Sequence, residues 1–215
     1  MPRLTAIAIC FLAAGCGGPV QELILQLEDP DVEVRRASAR ALRDLGPKAN
    51  GAVNALENAL SDPDREVIRL CAVALGNIGA DAEPAVPALT AVLNHEELGI
   101  RFSAAMAIQK IDPQNEAIRP VLVAAMQTGD GGAIVAVGEM GPEAAWSVPA
   151  LKELARRRDP NIRLLAIQAL GQIGPLAREA EATLQRAMRD RHEGVRDAAR
   201  QAFESVHGAS GVQAQ

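Results

Sequence analysis

The sequence predicts an all-α chain, an α-solenoid of about six helix-pair repeats, and three observations predict it. A skeleton recurs: Val34 to Pro47 matches Ile162 to Pro175 as V/I-R-x-x-small-x-x-A-L-x-x-I/L-G-P. Its last turn falls at Gly46, Gly79, Asp112, Gly141, Gly174 and His207, with successive spacings of 33, 33, 29, 33 and 33 residues. Self-similarity at such a period is the signature of stacked supersecondary units, each burying its apolar side only against its neighbours. Composition agrees: 48% of residues are hydrophobic but only 2% aromatic. Ala, Leu, Val and Ile therefore carry the core, which suits helix on helix.

The elements follow in chain order. Arg3, then the uncharged run Leu4 to Ala14, reads as a secretory signal too short to span a bilayer. Its end, Leu12-Ala13-Ala14-Gly15-Cys16, resembles a bacterial lipoprotein lipobox, although Ala13 holds the place usually taken by Leu. That resemblance implies a lipid on Cys16 and a membrane-anchored protein of the cell envelope; the other reading is a soluble secreted protein cut near Ala14. Residues 1–16 are thus a signal segment, 19–207 the repeat array with breaks near 46, 79, 112, 141 and 174, and 208–215 a disordered tail.

Within each repeat, an apolar residue stands ten places after the anchor: Leu56, Leu89, Leu122, Leu151 and Leu184, with Leu23 by extrapolation. It marks helix A, and Pro87, Pro120 and Pro149 lie in or before its first turn, where proline costs little. Asp29-Pro30, Asp62-Pro63 and Asp159-Pro160 read as N-cap carboxylates opening helix B. Gly46, Gly79, Gly141 and Gly174 read as left-handed C-caps closing it. The fourth repeat is one helical turn short, the loss falling between Leu122 and Ala133 near Gly129 to Gly132; a kink or a hinge is expected there.

Counted back from the anchor, helix B positions −12, −8, −5, −4 and −1 share an arc of about 100°, the width of a core stripe. They hold Val34, Ser38, Ala41, Leu42 and Leu45 in the first repeat and Ile100, Ala104, Ala107, Ile108 and Ile111 in the third. Cys71 falls on the same stripe and reads as a small apolar core residue. Positions −10, −6 and −3 lie nearly opposite.

The Asp-Pro steps, the Val/Ile-Arg pair, the Ala-Leu step, Gly-Pro, and Ala85-Val86-Pro87-Ala88-Leu89 with its echo Ser147 to Leu151 resemble the HEAT-like repeats of phycobilisome lyase subunits. The resemblance covers about nine tenths of the chain and implies a right-handed superhelix of armadillo/HEAT type with helices B on the concave side. It also implies that the column Arg35, Arg101, Arg163 and Arg196 bonds carboxylates and carbonyls of inter-helix turns; Asp130 breaks the column in the fourth repeat. On the concave side the pattern then places Arg36, Arg40, Arg69, Val73, Phe102, Met106, Val135 and Leu164, an apolar patch basic at one end and acidic at the other. Such a patch marks an interaction site, so the expected partner is a protein.

Other functions find less support. A net charge of −5 disfavours nucleic acid. His95-Glu96 and His192-Glu193 resemble the His-Glu pairs of deoxyhypusine hydroxylase, but that family carries four, inside helix B, and here two precede it. Phycobilin-lyase chemistry fits poorly with an export signal, and no nucleophilic set has a recognisable spacing. The expectation is a binding or scaffolding protein with no catalytic residue, cofactor, metal or small-molecule substrate; the alternatives are a HEAT-type enzyme or enzyme subunit, resembling deoxyhypusine hydroxylase or a phycobilin lyase, and a passive structural spacer.

Overall fold

The computed structural model describes residues 18–208; the signal segment with Cys16, and residues 209–215 of the tail, lie outside them. Twelve α-helices form six A–B pairs along the described chain. The pairs are α1 (Pro19–Gln26) with α2 (Val32–Leu45), α3 (Val53–Asn58) with α4 (Arg65–Ile78), and α5 (Val86–Val92) with α6 (Leu98–Ile111). They continue with α7 (Arg119–Gln127) and α8 (Gly131–Glu139), α9 (Val148–Leu154) and α10 (Pro160–Ile173), and α11 (Glu181–Ala187) and α12 (Glu193–His207). No strand occurs among the described residues. The architecture is an all-helical solenoid of the armadillo/HEAT kind.

The core runs the length of the array as a continuous seam. Leu42, Leu56, Leu75, Leu89, Ile108, Leu122, Leu151, Leu170 and Leu184 are fully excluded from solvent. The −8 position is buried in all six copies: Ser38, Cys71, Ala104, Ala133, Ala166 and Ala199. Small side chains there let backbones approach. In the first repeat Val34, Ala41 and Leu45 are only half-buried, because α1 is the sole neighbour on that side.

Three local readings need correction. Helix A is not one helix: a seven-residue 3-10 segment precedes it at Gly46–Ala52, Gly79–Ala85, Gly141–Ser147 and Gly174–Ala180. Prolines sit at the first positions of the α-helical part in α5, α7 and α9, as the missing N–H allows. Next, Gly46 has φ 55°, ψ −128° and Gly174 φ 69°, ψ −139°, so the caps are not left-handed helical. They occupy the first central position of a type II′ turn, a region open to glycine and strained for every L side chain. Third, Asp29 and Asp62 do not cap helix B. Each accepts the N–H two residues on, from Asp31 and Asp64, and these second aspartates cap α2 and α4 through Glu33 N–H and Val67 N–H. Asp159 does cap α10, accepting from Asn161.

The fourth repeat departs as its length requires. Helix α8 has 9 residues where the complete B helices α2, α4, α6 and α10 have 14. Asp130 caps it through Gly132 and Ala133, and Gly129 turns the chain with φ 86°. Helices B otherwise stack directly, α2 on α4, α4 on α6, α8 on α10 and α10 on α12, but α6 and α8 barely touch. Repeats three and four are joined instead through α7, which packs on both.

Candidate binding face

Helix B carries two different faces besides its core stripe, and the inter-helix turn carries a third feature, the arginine column. The column is a structural brace. Arg35 donates to the carbonyls of Asp29 and Pro30 in its own turn and forks onto Asp62 in the next repeat's turn, at 2.7 and 3.1 Å. Arg163 repeats this with the carbonyls of Arg157 and Arg158 and the carboxylate of Asp190, at 2.8 and 2.7 Å. Arg101 and Arg196 keep the carbonyl half alone, on His95 and Glu96 and on Asp190 and Arg191. The guanidinium of Arg163 holds Asp190 below the usual carboxylate range.

The arginines expected to make a basic end of the binding face are largely neutralised. Arg36 forks onto Asp64 at 3.0 and 2.7 Å and also reaches Glu33. Arg69 forks onto Glu66 at 2.8 Å, and Arg40 approaches the same carboxylate at 3.8 Å. For Arg36 the reason is register: successive B helices lie side by side, so it meets Asp64, the cap of the following helix, whereas Arg69 pairs within its own helix, with Glu66 three residues back.

The apolar patch is likewise shallower than the pattern suggested. Phe102, Met106 and Leu164 are half-buried and pack against the core, and Val73 is half-buried too. Val135 is the exposed one, at 40%. Where glycine holds the −3 position, that position is not a free face. A Cβ on Gly76 would stand 2.8 Å from the Ala107 Cα, on Gly171 2.9 Å from the Ala202 Cα, and on Gly138 3.1 Å from the Ala169 Cα. Glycine at −3 therefore receives alanine at −5 of the next repeat, which is why neighbouring B helices can lie so close.

A groove of about 490 Å³ does open on the helix-B side, over α8, α10 and α12. Val135, Leu165, Gln168, Gln172, Gln201 and Ser205 line it, and none of its residues is charged. Val135, Gln168 and Gln201 all stand at −6, one of the positions the pattern put opposite the core stripe. The pattern missed Leu165, at −9, and Gln172 and Ser205, at −2, because these positions become groove walls only once adjacent helices are rotated against each other. Phe102, Met106, Val73 and Leu164 are not part of it.

Cys71 is fully buried, and burial pushes its thiol up to about 12, so it is chemically quiet. Among the described residues no three His, Cys, Asp or Glu side chains converge as a metal set, and no helix is long and apolar enough to cross a membrane.

The model for HEAT repeats matches residues 20–108 and 130–204. The chain belongs to the HEAT-repeat family. Between the two matches, residues 109–129 span the end of α6 and all of α7, beside the weak contact of α6 with α8. No curated protein matches the sequence. Among solved structures the chain is similar to an engineered protein at 23% identity, TM-score 0.66, over 88% of this chain and 96% of that one. It is also similar to a designed armadillo repeat protein at 19% identity, TM-score 0.64, over 87% and 99%. A second designed armadillo repeat protein, solved in complex with the peptide (KR)4, matches at 18% identity, TM-score 0.58, over 87% and 99%. At these identities the likeness is one of fold.

Proposed function

We propose that this protein is a non-catalytic binding or scaffolding module that takes an extended segment of a protein partner along the helix-B face of repeats four to six, and that it works exported to the cell envelope, tethered by lipid on Cys16. One observation carries the binding reading: the groove over α8, α10 and α12 is uncharged and lined by amide and hydroxyl side chains beside Val135 and Leu165. Amides both donate and accept, so they can pair with the N–H and C=O groups of an extended chain while the apolar walls take alternate side chains. A designed relative of the same fold holds a peptide, which supports the choice of ligand without fixing its sequence. Export and anchoring rest on the lipobox-like sequence alone.

The test is site-specific photocrosslinking in the producing cell. A photoreactive residue at Gln168 should give a discrete adduct with a partner protein, lost on Val135→Asp, while the same probe at exposed Leu25 should not. Equal labelling from both sites would overturn the groove assignment. Palmitate incorporation that survives Cys16→Ser would overturn the anchor.

A further inference from the structure

The edge of the solenoid formed by the A–B turns changes sign along its length. In repeats one to four these turns (residues 27–31, 62–64, 93–97 and 128–130) hold eight carboxylates and no Lys or Arg. In repeats five and six (155–159 and 188–192) they hold five arginines against Asp159 and Asp190. Packing brings the last two turns together around a pocket of about 510 Å³. Arg156, Arg157 and Arg158 enter it from the end of α9, and Arg186 and Arg191 from the end of α11, all of them exposed. Its floor is the braced pair Arg163 and Asp190, which uses up the one carboxylate in the pocket. Arg156 meets only the exposed Glu153, and Arg157 donates to the Gln127 carbonyl.

We infer that this pocket docks an acidic segment of a protein partner, through carboxylates laid across the two arginine rows. Adjacent helices lie about 10 Å apart, a distance an extended chain covers in about three residues, so carboxylates spaced along one strand reach both rows. Guanidinium forks pair with carboxylates in two-point geometry. A compact phosphate finds no backbone cradle here, because the turn N–H groups of Asn161 and His192 are already taken by Asp159 and Asp190. A nucleic-acid backbone running on along the edge would meet the eight carboxylates of repeats one to four. This site is separate from the helix-B groove and stands or falls without it.

The test uses the full chain and a short fluorescein-labelled poly-glutamate peptide, read by anisotropy at low salt. Arg158→Glu, Arg186→Glu and Arg191→Glu together should weaken binding by at least about tenfold, with an unchanged melting curve. Added salt should weaken the wild type and the variant should respond less. Lys48→Glu, Arg65→Glu and Arg178→Glu, an equal charge change on exposed positions elsewhere, should leave binding within about twofold. The milder pair Arg158→Gln and Arg191→Gln serves if the triple variant melts early, and should still weaken binding several-fold. The proposal is overturned if the control triple weakens binding as much, if inorganic pyrophosphate binds the pocket and the peptide does not, or if the arginines instead drive self-association seen by sedimentation.

Discussion

Arg36 and Asp64 show how one side chain changes meaning between sequence and structure. On the helical wheel Arg36 is a surface cation available to a partner; in the fold it clamps the N-cap of the next helix B. Its guanidinium, together with the N–H of Val67, lowers the Asp64 carboxyl from 3.8 to about 2. Because Asp64 is more acidic folded than unfolded, its stabilising contribution is complete above about pH 4 and drains away as pH falls toward 2. Glu66 and Asp190 are shifted in the same direction by Arg69 and Arg163, so melting temperature should fall over this acid window. Arg36→Ala should flatten that part of the melting-temperature profile measured from pH 5 to 2; an unaltered slope would show that the pair carries no linkage.

At the scale of the element, helix α10 sets propensity against packing. In an isolated helix Gly171→Ala would stabilise by about 1 kcal/mol. Here the new Cβ would lie 2.9 Å from the Ala202 Cα and 3.0 Å from its Cβ, with backbone rather than a mobile side-chain tip in the way. Overpacking of this kind costs about 1–3 kcal/mol, and the contact wins. Gly171→Ala should therefore lower stability in urea unfolding, and still more at 2.8 Å in Gly76→Ala. A rise in either midpoint would mean that the helices separate freely. The glycines were visible in the sequence as −3 residues, yet the wheel put them on the open face. A wheel describes one helix alone, and this contact exists only between two.

For the molecule as a whole, the short fourth repeat matters most. In a solenoid, stability is roughly a sum of repeat terms and nearest-neighbour interfaces, and the interface of α6 with α8 is nearly missing. Repeats one to three and four to six should then behave as two units coupled through α7. Amide exchange in mild denaturant should show α2, α4 and α6 protected to one level and α10 and α12 to another, with α7 and α8 lowest. Uniform protection across all of them would indicate a single cooperative array.

By itself the sequence determined the number of repeats, the place of the short one and the buried stripe of helix B, because each depends on spacing along the chain; the structural use of Arg35 and Arg163 followed from the resemblance to HEAT-like repeats. Only the tertiary structure decided what the remaining surface is. Whether Arg36 is free or paired, whether Gly171 is open or pressed, and whether Arg158 stands near Arg191 depend on how far one hairpin rotates and shifts against the next. That step is set by the packing of many small side chains at once, and no single position along the chain records it.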